Sequence, residues 1–270
     1  MGYLYAALAL IIVTLAGWIG LRVWPRPFPD YEGGQVPTKK VPFPADLPAP
    51  VARYFHIVLG EDVPVIETAV ITGRCKLRLA GLPFSGRFRF IHEAGYNYRH
   101  YIEATVFGFP LMKVNERYID NIGRMELPVG TTENDPKLNQ AASLAVWGES
   151  VWLPSVFLTD PRVRWEAVDA QTARMIVPFE EDKEDSFTLH FNPATGLLSH
   201  MEAMRWRDAK DTEKIRWLLD MEGWASFKGI KVPSPCSVTW EKDGKPWLVC
   251  YIEDIAYNAD VKEDIRSRGI

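Results

Sequence analysis

Five histidines, three cysteines and one carboxylate set in an apolar run are the side chains of this 270-residue chain that could do chemistry. His92, His100, His190 and His200 fall on segments of strand character. No two have the HxxxH spacing that sets two imidazoles on one helical face to hold a metal, so no metal ligand set is expected. His56 reads as a surface or satisfied core residue. His190 and His200 flank the turn in "EDSFTLHFNPATGLLSHMEAMRW"; a five-residue loop would put them directly opposite, a four-residue loop on opposite faces.

Glu149, in "WGESVW", is the more interesting group. Among Trp147, Trp152 and Leu153 a buried carboxylate would have a raised pKa, a frequent mark of a functional site. Paired with a strand arginine, or turned to water, it would be only structural. Nucleophile motifs are absent, with no GxSxG elbow, SxxK or P-loop. Cys236 and Cys250 flank a "KDG" turn. A three-residue loop pairs them directly and would permit a cross-strand disulfide, whereas a two-residue loop separates them. Cys75 is left as a small buried hydrophobe.

These groups need elements to position them, and the first element is the plainest. "MGYLYAALALIIVTLAGWIGL" has no charged side chain before Arg22. Roughly 20 helical residues cross the ~30 Å hydrocarbon layer, so residues 3–23 are expected to be a transmembrane anchor, uncleaved because neither a basic leader nor a small-x-small site is evident. Prolines then punctuate residues 24–50, which read as an extended linker holding the domain off the bilayer. Arg22 and Arg26 lie just after the span, and the positive-inside rule alone would place the C-terminal domain in the cytoplasm.

"PVARYFHIVLG" has apolar residues at helical spacing with Gly60 as a stop, which predicts a short helix. From Ile66 the period changes to two. In "GRFRFIHE", Phe88 and Phe90 share one face and Arg87 and Arg89 the other. Arg99, Arg174, Arg205 and Arg216 also read as part of a wet, solvated face. Strands separated by short turns continue to about residue 260, and residues 261–270 read as a tail. They are interrupted once, by "DPKLNQAASLAVWGESVWLPSVFLTDP", where Asp135 can cap, Pro136 suits a first helical turn, and 144–158 is apolar nearly all round. Residues 51–260 are thus expected to be mainly β with α, a curved antiparallel sheet or incomplete β-barrel packed around a central helix. A net charge of −4 argues against nucleic-acid binding.

"LPAPVARYF", "ESVWLP", "VRWEAVDAQTAR", "LHFNPATGLL" and "GIKVP" before "VTWEKDGKPW" resemble a membrane-anchored bacterial family of unknown function, similar in architecture to the LolA/LolB lipoprotein-carrier group. The resemblance implies an incomplete barrel with an apolar cavity for acyl chains, on the extracytoplasmic side, against the weak charge bias. These features admit three readings. The first is a membrane-tethered protein binding a hydrophobic or lipid-like ligand, lined by Phe88, Phe90, Trp147, Trp152, Trp165, Met204 and Trp206, with Glu149 as polar anchor and no cofactor. The second is a hydrolase or isomerase on a similar substrate, which requires one of the strand histidines within hydrogen-bond reach of Glu149. The third is a structural or partner-binding envelope with a filled core.

Overall fold

The computed structural model describes residues 1–180 and 183–269. The centre of the turn expected at 180–185, residues 181–182, lies outside the described residues. Helix α1 (Gly2–Gly20) is exposed except at Gly20 and is the one helix long and apolar enough to cross a membrane among the described residues. Helix α2 (Ala49–Leu59) starts with a proline in its first turn and ends at Gly60, whose φ of 91° favours glycine.

Two short strands, β1 (Lys40–Val41) and β2 (Val63–Pro64), pair beside α2. A long meander comes next: β3 (Thr68–Leu79), β4 (Leu82–Glu93), β5 (Asn97–Val106), β6 (Phe109–Ile119), β7 (Ile122–Leu127) and β8 (Gly130–Glu133). Then come the central helix α3 (Pro136–Glu149), a 3₁₀ turn at Ser150–Trp152, and the one-turn helix α4 (Val156–Thr159). A second meander comprises β9 (Arg164–Ala167), β10 (Thr172–Pro178), β11 (Glu184–Phe191), β12 (Leu198–Arg205) and β13 (Ile215–Met221). The hairpin of β14 (Trp224–Phe227) and β15 (Ile230–Pro233) forms its own sheet, and β16 (Cys236–Trp240) and β17 (Leu248–Tyr257) return to the main one.

The main sheet has thirteen strands in the order β8-β7-β6-β5-β4-β3-β17-β16-β13-β12-β11-β10-β9. Every neighbouring pair is antiparallel. β17 joins the two meanders, and β8 and β9 stay at opposite edges, so the sheet curves without closing. This is the incomplete barrel expected from the alternation in the sequence.

Helix α3 occupies the inner side of that curve. Asp135 caps it by accepting from the Lys137 and Leu138 backbone N–H groups, and every residue from Gln140 to Gly148 is buried. It touches both arms. Trp147 lies against Gly95 at the β4–β5 turn, while a Cβ on Gly148 would strike Trp217 of β13 at 2.7 Å. Large side chains fill the space between helix and sheet, with Phe88, Phe90, Trp147, Trp152 and Leu153 all in one continuous core. The room for a guest expected between the sheet and residues 144–158 is therefore taken up at these positions by buried side chains.

The proline-rich segment is not a free spacer. Leu21 and Gly20 carbonyls accept from the Ser85 and Phe107 backbone N–H groups at 2.7 Å. Arg87 donates to the Arg26 carbonyl and Arg89 to that of Pro29, and Phe28 is buried beneath the Arg87 guanidinium. A segment without its own ladder satisfies its carbonyls on the outer arginines of β4, which pin it to the sheet. The tail is also held. Val261 and Ile265 pack with Val70, Ile91 and Ala256, and Arg99 donates to the Asp264 carbonyl and Ser267 hydroxyl. Arg87, Arg89 and Arg99 thus fasten chain segments rather than face open water.

Candidate functional site

The alternation of β4 and β5 turns His92, His100 and Tyr98 inward, toward the C-terminal end of α3. Glu149 is the last residue of that helix. Its Oε2 lies 2.6 Å from His100 Nε2 and 3.1 Å from His92 Nε2. On the other side of the His100 ring, Nδ1 is 3.7 Å from Glu116 Oε2, while Tyr98 donates its hydroxyl to Glu116 Oε1 at 2.5 Å. The ring is clamped, stacked on Tyr98 at 4.0 Å and tilted against Phe90 at 4.1 Å between centroids.

The charges are set by this geometry. Burial works against an imidazolium at His100, but the Glu149 and Glu116 carboxylates outweigh it and hold its pKa up at about 9. Burial likewise opposes a carboxylate at Glu149, yet the two histidines bring it down to about 2. Burial dominates at His92, which is pushed below its ordinary value despite Glu149. The resting cluster is therefore a carboxylate paired with an imidazolium, with a neutral imidazole beside them. The raised carboxyl pKa that burial alone would give Glu149 does not occur, because the partners overcome desolvation.

Glu116 also reaches a cleft of about 380 Å³ at the open end of the sheet. Its walls include Trp206, Trp240, Trp247, Met125, Leu127 and Leu138, with Arg205, Arg78, Lys137, Arg207 and Asp208 also lining it. Arg205 donates Nε to the Ala141 carbonyl and its guanidinium lies over Trp217 and Trp240. Burial lowers its pKa while the charge of Glu116 raises it from a distance, and no carboxylate is within ion-pair range of Arg205 among the described residues.

The expected lining residues fall in different places. Phe88, Phe90, Trp147 and Trp152 are core residues, no more than 4% exposed. Trp147 also borders a smaller cavity of about 170 Å³ with Gly95, Tyr96 and Arg162. Trp165 is half-buried against Phe55 and Phe157. Trp206 lines the cleft, with the Lys137 ammonium over its ring. Met204 is 50% exposed on the outer face of β12. Met201 and Ala203 point inward, so parity sends 204 out and brings Arg205 in, the reverse of the expected arrangement.

His190 and His200 stand directly opposite in the β11–β12 register, on the outer face, and His200 is bonded to Asp220 at 2.7 Å. Cys236 and Cys250 are also directly opposite, and Cys75 extends the row across β17. All three are free, buried thiols, so the structure has the directly paired one of the two registers left open by the sequence, without a disulfide. Burial raises the Cys75 thiol well above its ordinary range. Sequence spacing could not show the convergence of His92 and His100 on Glu149, because it is made by a hairpin and a helix 49 positions from His100. The signal available was that both histidines share the facing parity of Phe90 and Tyr98.

Fold and site together define an open antiparallel sheet wrapped on a helix, with a buried histidine–carboxylate cluster at the helix end and an aromatic cleft beside it. A family model matches residues 38–253, and the chain belongs to that family, described as a family of unknown function (DUF6544). Among curated proteins no relative matches. Similar solved structures include a LolA superfamily protein from Nitrosomonas europaea, 9% identical over 83% of this chain and 99% of that one, with a TM-score of 0.49. Another is a DUF1329 family protein from Desulfovibrio piger, 12% identical over 76% and 92%, with a TM-score of 0.44.

Proposed function

We propose that this chain is a membrane-tethered binding protein for a lipid-like ligand with an anionic end, seated in the cleft walled by Trp206, Trp240 and Trp247. The observation that carries it is the half-buried Arg205 side chain in that tryptophan-walled cleft, without an ion-pair partner among the described residues. The cleft volume falls within the range of small-molecule sites, roughly 300–1,000 Å³, and its tryptophans and aliphatic side chains are joined by the cations Arg78, Lys137 and Arg207 and the acids Glu116 and Asp208. Arg205 replaces Glu149 as the anchor in this reading, since an anion needs a cation.

Tethering is supported by α1 and by its surroundings. Gly20 lies so close to the Phe107 ring that a Cβ would approach it to 2.5 Å. At this end of the sheet Leu82, Phe107, Phe109 and Leu111 are all exposed. An apolar rim around the end of an apolar helix suits a bilayer surface. The extracytoplasmic side rests on the sequence resemblance, and a C-terminal alkaline phosphatase fusion should be active while a fluorescent-protein fusion stays dark.

Binding is tested by titrating the detergent-solubilised full chain with a brominated long-chain fatty acid. Saturable quenching of tryptophan fluorescence is expected, weakened by Arg205→Met and by Trp206→Ala. Quenching that is linear, or equal in all three proteins, rejects the cleft. One observation favours a second reading, acid–base catalysis by Glu149 and His100: their 2.6 Å separation meets its geometric requirement. Hydrolysis of p-nitrophenyl acyl esters that disappears in Glu149→Gln is its expected sign, and an inert wild type across chain lengths rejects the hydrolase.

A further inference from the structure

The His92–His100–Glu149 cluster has features that neither ligand binding nor packing requires. One donor atom from each of the three lies within 4.8 Å of the other two. Donors bound to a tetrahedral zinc-class ion at roughly 2.0–2.1 Å stand about 3.3 Å apart. The two Glu149 separations, 2.6 and 3.1 Å, require only a small outward shift to meet that.

Three observations bear on a cation at this place. His92 is 1% exposed, and its Nε2, aimed at Glu149, is a buried nitrogen without a hydrogen bond. Such groups are rare in folded interiors and call for a partner. Next, Glu149 sits at the C-terminus of a 14-residue helix with no basic residue in its last turn. The helix dipole is negative there, so a buried carboxylate needs positive charge close by, which the His100 imidazolium or a bound cation can supply. Finally, His100 Nδ1 faces Glu116, which is itself held by Tyr98. A carboxylate behind the distal ring nitrogen is the arrangement that fixes the tautomer and raises the basicity of metal-bound histidines.

We propose that His92 Nε2, His100 Nε2 and Glu149 bind one divalent transition ion of the zinc class, with Glu116 orienting His100 from behind. Two imidazoles and a carboxylate suit zinc, iron(II) or cobalt(II) over calcium or magnesium, which prefer all-oxygen shells. Three protein donors leave at least one coordination position for water or a ligand group. Glu149 is then a ligand and not a general base. The site is separate from the cleft's tryptophans, so it can exist whether or not the cleft binds lipid.

The test uses the full chain in detergent. Elemental analysis of protein purified without chelator should give close to one zinc or iron per chain. Cobalt(II) added to chelator-stripped protein should produce the visible bands of a low-symmetry, nitrogen-containing site. His92→Gln and Glu149→Gln should remove the bands and the bound metal, and Glu116→Gln should weaken zinc binding by roughly 10–100-fold. Far-UV circular dichroism of each variant separates loss of metal from loss of fold. If His92→Gln does not fold, Glu116→Gln, which keeps all three ligands, decides. Substoichiometric metal with no cobalt bands in the stripped wild type overturns the proposal, as do bands that survive in folded His92→Gln. Trp206→Ala should leave the metal content unchanged, so failure of the cleft and failure of the metal site give different results.

Discussion

The chain places two pairs of histidines on adjacent strands, and the pairs have opposite fates. His190 and His200 face each other directly in register, with ring centroids 5.7 Å apart. His92 and His100 are diagonal neighbours, 5.9 Å apart. Proximity is the same; the face of the sheet differs. The outer pair meets solvent, Asp220 and Glu202, whereas the inner pair meets the end of a helix. An imidazole gains a strongly coupled partner only where water cannot supply one. Two histidines brought together by a hairpin are therefore no site until another element covers them.

The largest effect expected from this difference is at Glu149. Glu149→Ala removes the hydrogen-bond partner of His100, which also lies 3.1 Å from His92, and leaves a buried imidazolium facing the helix C-terminus. Loss of one partner of a buried pair costs about 3–5 kcal/mol. Asp220→Ala, the matching change outside, should cost about 0–1 kcal/mol, since Asp220 is half exposed. Urea unfolding of the two variants, read by tryptophan fluorescence, makes the comparison. Equal midpoints would mean that the helix end contributes nothing special.

Parity offers a sharper test within one strand. Ala203 is 5% exposed and Met204 50%. A charge at 203 would be forced into the core between β12 and α3, costing roughly 2 kcal/mol or more, while Met204→Asp should stay within about 0.5 kcal/mol. If Met204→Asp is the damaging one, β12 is in the wrong register and Arg205 does not reach the cleft.

That same parity marks where the sequence could be read and where it could not. The apolar helix, the Asp135 cap and the inward face shared by Phe88 and Phe90 come from local rules, period and capping, whereas the turn between Cys236 and Cys250 left two registers open. Arg205 was misplaced because "EAMRW" is too short to fix which of two faces is buried. The decisive residues, Met201 and Ala203, take their side from α3, more than fifty positions away. The cluster was only half legible for a similar reason. Glu149 stands out by its apolar neighbours, but nothing near His92 or His100 says that the next hairpin edge will lie under a helix end. The pinned linker was hidden too, since proline-rich composition describes a chain's stiffness and not what its carbonyls will bond.

The smallest effect concerns the outer pair and its dependence on pH. The hydrogen bond from His200 Nδ1 to Asp220 raises the His200 pKa, with burial opposing and the charges of Asp220 and Glu202 adding. A histidine raised above its unfolded value of about 6.5 contributes stability that is fully present below that pH and lost as pH climbs through the folded value. Because the pair is partly solvated and Glu202 is shared with Arg216, that contribution should be below about 1 kcal/mol. Asp220→Asn should therefore bring the His200 imidazole titration, tracked by NMR, down toward its ordinary value. The stability gap between wild type and variant should open below about pH 6.5 and close on the alkaline side. A His200 titration that does not move would show that the outer carboxylates leave the imidazole as water would, and the difference between the two faces would then be wider than the geometry implies.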